Sequence, residues 1–305
     1  MYKARLHWKP IAALMLLAII WGMNMAIIKI ASQEIAPLFM AGLRSMVAAA
    51  CLCIWMKTKR IVLFPSKIVV IHGIAVGLLF GFEFGLIYQG LEYTLTSRVY
   101  VLLYTAPFFA ALEAHFWLDK DRLNLAKAIG LLLAFGGIVT LFARNFGTFS
   151  FATLPGDLMI LAAGALWAST TVYIKKYLAF RTLALQTLFY QVLFSAPLLF
   201  FLSICFENRI ISGFSLITGF SLFYQCIIVA FLSYIIWFGL IHRYQASLLH
   251  AFTFFTPILG VFLSGLLIMG EKIAPELIAA LIFVSFGIVL VNYQPAVAPA
   301  NTSAS

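Results

Sequence analysis

Residues 102–122 read LLYTAPFFAALEAHFWLDKDR, and residues 252–272 read FTFFTPILGVFLSGLLIMGEK. Each stretch is an apolar run long enough for a membrane helix, each carries a proline inside that run, and each ends in an acid followed by a base: Asp121 and Arg122, Glu271 and Lys272. Pro107 and Pro257 stand 150 positions apart, and the same offset superimposes Ser97 on Ser247 and the GIV at 137–139 on the GIV at 287–289. Near the start of each half an offset of 146 pairs Trp21 with Trp167 and Lys29 with Lys175. The chain therefore reads as one unit used twice.

Composition names the solvent. Of the 305 residues 64% are hydrophobic and only 10% charged, against roughly 25% charged in an average soluble domain. No soluble interior hides that much apolar side chain, so the partner of the surface is a lipid bilayer. The formal net charge of +10 does not point to nucleic acid, because the cations sit in short clumps between apolar runs rather than on one solvated face.

Stretches of about 20 apolar residues, enough to cross a hydrocarbon core of about 30 Å, recur ten times: 11–30, 36–56, 68–90, 98–118, 125–143, 156–176, 183–205, 217–240, 247–269 and 275–293. The first follows a basic flank, MYKARLHWKP, yet is longer than the 7 to 15 residues of a signal-peptide core, so it is expected to stay as a span. The expected fold class is an all-α polytopic membrane protein, with residues 1–143 as the first five-helix repeat, 156–293 as the second, and 294–305 as a disordered tail. Fourteen of the twenty Lys and Arg fall on one side if the N-terminus is cytoplasmic, five on the other, and Arg44 lies within a span. That bias places both termini in the cytoplasm. Five spans per unit is odd, so the two units enter the membrane from opposite sides, and this inverted repeat is the recurring build of secondary transporters.

A proline within a helix frees a carbonyl and bends the axis, which lipid tolerates only beside protein or a wet cavity. Pro107 and Pro257 are thus expected to bend spans 4 and 9 beside a substrate cavity. Charges within spans cost about 2.5–3.5 kcal/mol each on insertion scales and usually face a cavity or a partner. Arg44 and Glu83 lie at similar depth on adjacent spans; they are either a charged gate for an ionic or zwitterionic small-molecule substrate, with Glu83 a candidate for coupling to a proton, or a permanent pair that fixes two helices. His250, which aligns with Tyr100, and Trp21, Asn24, Tyr104, Trp167 and Tyr190 are further candidates for substrate binding, since aromatic faces receive cations or apolar side chains and amides fix polar ends. Cys51, Cys53, Cys205 and Cys226 lie in or beside apolar segments, with Cys51 and Cys53 about 200° apart on a helix, so neither a metal site, a disulfide nor a cofactor is expected.

Residues 16–49, LLAIIWGMNMAIIKIASQEIAPLFMAGLRSMVAA, space Trp21, Gly22, Asn24, Lys29, Pro37 and Arg44 in a way that resembles the EamA family of the drug/metabolite transporter superfamily. The later series Pro257, Gly270, Glu271 and Gly287 resembles the same family's second element. The resemblance covers residues 10–293. It implies a ten-helix inverted-repeat transporter of the bacterial inner membrane that moves amino acids or other small metabolites, often outward. Arg44 belongs to that pattern and Glu83 does not. The first half departs from it at Lys120 and Asp121, where the second has Gly270 and Glu271. The rival readings are a lipid-linked flippase, which ten spans serve equally well, and an intramembrane lipid-modifying enzyme. The enzyme is disfavoured because the sequence has no H-E-x-x-H helix, no P-loop and no Ser, His and Asp at one depth.

Overall fold

The computed structural model describes residues 6–119, 121–143, 151–264 and 275–292. Among them, ten helices are long and apolar enough to cross a membrane: Trp8–Ala31, Pro37–Thr58, Lys67–Leu91, Arg98–Trp117, Leu125–Phe142, Leu154–Leu178, Ala184–Phe206, Leu216–Ile241, Ala246–Leu263 and Pro275–Asn292, here spans 1 to 10. In hydrocarbon a helix satisfies its own backbone, which is why each apolar run adopts one. Gly270, Glu271 and the expected tail lie outside the described residues.

The two-fold relation between the halves is visible in single contacts. Where spans 5 and 10 cross, a side chain added at Gly130 would come within 2.5 Å of the Gly287 carbonyl, and one added at Gly137 within 2.9 Å of the Ala280 carbonyl. The 150-residue offset turns Gly130 into Ala280 and Gly137 into Gly287, so it exchanges these two contacts for each other. Spans 2 and 7 also pack as a dyad pair, and span 1 crosses span 9 as span 6 crosses span 4. Small residues let these backbones approach closely, which is how helices associate where lipid supplies no hydrophobic drive.

Span 3 carries Gly73, Gly77, Gly81 and Gly85, one helical turn apart, and each faces a side chain of the parallel span 7: Tyr190, Phe194, Leu198 and Leu202 in turn. This groove fixes the register of the two spans. Straps close the ends. At one end Ala36 donates to the Ile210 carbonyl at 2.9 Å and Ser212 to that of Glu34 at 2.7 Å, while the Glu207 carboxylate accepts the Leu38 and Phe39 amides at 2.6 and 3.0 Å. An acid is favoured there by the exposed amides and the dipole of the span 2 N-terminus. At the other end Gln186 donates to the Val62 carbonyl at 2.7 Å and Tyr190 to that of Leu63.

Spans 4 and 9 do more than bend: they break. Span 4 is helix to Leu103, turns through Tyr104 and Thr105, and resumes at Ala106; span 9 is helix to Phe252, turns through Thr253 and Phe254, and resumes at Phe255. Pro107 and Pro257 sit in the first turn of the resumed helix, where a missing amide leaves no helical bond unmade. A threonine hydroxyl at each break closes back on a carbonyl, Thr105 on Leu102 at 2.6 Å and Thr253 on His250 at 2.7 Å. Pro197, by contrast, stays within the unbroken helix of span 7.

Candidate functional site

Between the halves lies a cavity of about 520 Å³ lined by spans 1, 2, 3, 4, 6, 7, 8 and 9, so both repeats build it while spans 5 and 10 stand outside. That volume falls within the roughly 300–1,000 Å³ of small-ligand pockets. Span 3 gives one wall through Phe80, Glu83, Phe84, Ile87, Tyr88 and Leu91. Their spacing of i, i+3, i+4, i+7, i+8 and i+11 is a single helical face. This stripe was present in the sequence and is the signal that would have found Phe80, Phe84 and Tyr88 along with Glu83.

The breaks shape a second part of the wall. Leu103 and Tyr104 line the cavity where span 4 is interrupted, and Thr256, Gly260 and Val261 line it just after the interruption of span 9. Pro107 and Pro257 are not themselves among the lining residues; they act on the wall through the helix start that they permit. Close approach completes it: the backbone of Gly22 lies so near that of Gly260 that a side chain at either position would meet the other's backbone within about 3 Å.

Arg44 and Glu83 both line the cavity, being 1% and 5% exposed, and they do not hold each other. The ion pairs formed among the described residues are Arg98 with Asp157 and Lys127 with Asp121. The Arg44 guanidinium lies over the Phe84 ring at 4.3 Å from its centroid, leaving Nε and Nη2 without hydrogen-bond acceptors. Glu83 Oε2 has no donor, and neither has Asn24 Oδ1. Burying unpaired groups of this kind is costly. A ligand bearing a carboxylate and an ammonium group can satisfy both signs at once.

The remaining candidates from the sequence divide by position. Trp21 and Trp167, the repeat-related pair, both line the cavity, and each meets an aromatic of the opposite half edge-on: Trp21 meets Trp237 at 5.3 Å and Trp167 meets Tyr104 at 6.0 Å. Trp21 Nε1 donates to Ser233 Oγ at 2.9 Å, which fixes its ring. Tyr190 is not part of the lining, because its ring is seated on Gly73 and its hydroxyl on the Leu63 carbonyl. Its neighbour Gln191 lines the cavity instead. His250 stands behind the wall, fully buried, with Nε2 bonded to Thr171 Oγ1 at 2.9 Å and its ring between those of Trp167 and Trp237 at 5.2 and 5.8 Å. It positions two lining tryptophans rather than facing the cavity.

The two ends of the cavity differ. At one, here the Lys29 end, the lining includes the exposed Lys29 and the half-buried Ser32, Leu91 and Tyr100. Toward the other, the Lys175 end, the lining finishes in the fully buried Thr171, Ile174 and Ile241. Beneath that floor Lys175 donates to the carbonyls of Ile241, at 2.8 Å, and Tyr244, which lie at the C-terminus of span 8. A cation is favoured there because the last carbonyls of a helix lack partners and carry its negative dipole end. Below it Asp121, 1% exposed, pairs with Lys127 at 2.8 Å and accepts the Ser247 amide at 3.0 Å together with the Ser247 hydroxyl.

Lys127 and Lys175, counted from the sequence among the fourteen cations of the cytoplasmic side, are thus buried parts of a seal. Their long side chains reach acceptors that hydropathy does not display.

Relatives agree with a transport fold. "Uncharacterized transporter YoaV" of Bacillus subtilis is 25% identical over 92% of this chain and 95% of its own. A "Probable amino-acid metabolite efflux pump" of Salmonella typhimurium is 23% identical over 90% of this chain and 91% of its own, and one of the same name from Escherichia coli is 25% identical over 85% and 86%. A solved crystal structure shares the fold at a TM-score of 0.77 and 20% identity, covering 91% of this chain and 94% of that one. The model of the EamA-like transporter family matches residues 8–143 and again 154–293, and the chain belongs to that family.

Proposed function

We propose that the protein exports a small zwitterionic metabolite, an amino acid or a related compound, across the inner membrane of a bacterium by alternating access. Both termini lie in the cytoplasm, and Glu83 exchanges a proton during the cycle. One observation carries this reading: Arg44 and Glu83, a base and an acid, line one cavity, buried and unpaired with each other. Arg44, charged at every relevant pH, receives the carboxylate; Glu83 and the Asn24 carbonyl receive the ammonium group, and the Trp21, Trp167, Tyr104 and Trp237 rings receive the rest. The efflux-pump names of two relatives support the outward direction, and the fourteen-to-five distribution of cations supports the orientation.

The test is transport of labelled amino acids and, as the rival cargo, a labelled lipid-linked sugar, in inverted vesicles from about pH 5.5 to 8. Losing one charge-assisted bond costs about 1.5–3 kcal/mol, so Arg44→Gln is expected to raise KM about ten- to a hundredfold. Glu83→Gln is expected to insert normally and flatten the pH profile. A double neutral variant that transports like the parent with the same pH profile contradicts the assignment, and movement of the lipid alone replaces it with a flippase.

A further inference from the structure

The repeat alignment gives the Lys175 seal a partner at the opposite end. Lys175 corresponds to Lys29 by the 146-residue offset, while its acceptors Ile241 and Tyr244 correspond by the 150-residue offset to Leu91 and Thr94. The local structures correspond as well. Span 8 ends at Ile241 and the next helix begins at Ala246; span 3 ends at Leu91 and the next helix begins at Thr96. Yet the two lysines are in different states. Lys175 is 1% exposed and seated on two carbonyls, whereas Lys29 is exposed at the cavity rim and its ammonium group meets no described residue, the Ser32 hydroxyl bonding only to its carbonyl. The Leu91 carbonyl and the Thr94 carbonyl accept no backbone hydrogen bond from the described residues, and Leu91 lines the same rim as Lys29. Backbone form differs too: Lys175 lies in a π-helical turn, Ile174–Leu178, while span 1 stays α-helical through Ala31.

We propose that Lys29 is the latch of the opposite conformation. When the Lys29 end closes, its ammonium seats on the Leu91 and Thr94 carbonyls at the C-terminus of span 3, and Lys175 leaves those of Ile241 and Tyr244. One lysine holds each closed state, and the inverted repeat supplies the same helix-end seat at either face. This rests on the alternating-access part of the proposed function and is independent of the substrate.

The experiment measures spin-label distances in the full chain in nanodiscs, with Cys51, Cys53, Cys205 and Cys226 replaced by serine and transport retained. One pair, Gln33→Cys with Tyr93→Cys, spans the Lys29 end; the other, Arg181→Cys with Arg243→Cys, spans the Lys175 end. The parent is expected to show a short and a long distance at each pair, with the populations running opposite at the two ends. Lys29→Met should lower the short population at the Gln33–Tyr93 pair about tenfold relative to the long one, a factor that corresponds to about 1.4 kcal/mol. Lys175→Met should shift it the other way, the double variant should return toward the parent, and Lys29→Arg should keep most of the short population. Two populations that Lys29→Met leaves unchanged overturn the latch alone. A single distance at both pairs in every variant overturns the latch together with alternating access.

Discussion

The two ends of the bundle were built from the same repeat and stand in opposite conditions. At the Lys175 end, buried charges lock loop to loop: Asp121 to Lys127 and Ser247, Lys175 to the end of span 8. At the Lys29 end a buried pair, Arg98 with Asp157, also ties span 4 to span 6 and holds the Thr94 hydroxyl, but the corresponding lysine is exposed and the Leu91 and Thr94 carbonyls take no backbone hydrogen bond from the described residues. The difference lies in how one lysine is seated at a helix end, and under the proposed alternating access it makes closure an electrostatic event at helix ends, laid over glycine-packed crossings that need not change. Spans 5 and 10, joined through Gly130 and Gly287, meet at the dyad and stand outside the cavity wall.

The largest effect is expected where the closed end is broken outright. Asp121→Asn leaves the Lys127 charge buried with neutral acceptors alone: the amide oxygen of the new side chain and the Ser247 and Gln245 oxygens, at 3.1 and 3.5 Å. Removing one member of a buried ion pair costs about 3–5 kcal/mol. The variant should therefore unfold at lower temperature or populate the Lys175-open state, read as a lost short distance at that end. Asp121→Asn combined with Lys127→Met should recover much of the loss. A single variant as stable and as closed as the parent would break the comparison between the ends.

A smaller effect is expected from pH. His242 follows span 8 at the closed end, bonded to Thr187 Oγ1 at 3.2 Å. Burial, and then the charge of Lys175, push its pKa down to about 4. The closed end thus favours neutral His242, and protonation opposes closure. Its contribution is complete above about pH 6.5 and falls, by at most about 1.4 kcal/mol per pH unit, as the pH drops from there toward 4. Lowering the pH from about 7 to about 5 should move the Gln33–Tyr93 pair toward its short distance, and His242→Gln should blunt that shift. A pH response of equal size in His242→Gln would assign it elsewhere, with Glu83 the first group to examine.

The prolines give the smallest expected change. Pro107→Ala and Pro257→Ala remove the helix-breaking ring at the two interruptions, and each should slow transport several-fold while membrane insertion stays near normal. Pro197→Ala, in an unbroken helix, should leave transport near the parental rate. If all three behave alike, the breaks owe nothing to proline.

The sequence displayed what repeats and what is apolar. The ten spans, the inverted halves and the family were legible because periodic hydropathy and a constant offset survive without coordinates. Trp21, Asn24, Arg44, Glu83, Tyr104 and Trp167, which line the cavity, were singled out for a physical reason, since charges, amides and aromatics in lipid are costly or distinctive enough to stand out. Tyr190 was misplaced because its environment is set by a glycine on another span, and Gly73, Gly77, Gly81 and Gly85 had not been read as a groove. His250 was taken for a lining residue because its polarity is visible and its position behind Trp167 is not. Lys127 and Lys175 looked like orientation signals, since a lysine near a span end has the same hydropathy whether it meets water or a buried carbonyl.

The most direct test of the account is the sidedness of the cavity. Ile87 lines it and is 8% exposed. With the native cysteines replaced, Ile87→Cys is exposed to a membrane-impermeant thiol reagent from one face of the membrane at a time, in vesicles of both orientations. The account predicts fast labelling from the Lys29 side, slowed by bound substrate, and slow labelling from the Lys175 side that accelerates when Lys175→Met is added. Equal labelling from both sides in the parent, or a Lys175-side rate that Lys175→Met leaves unchanged, would contradict it.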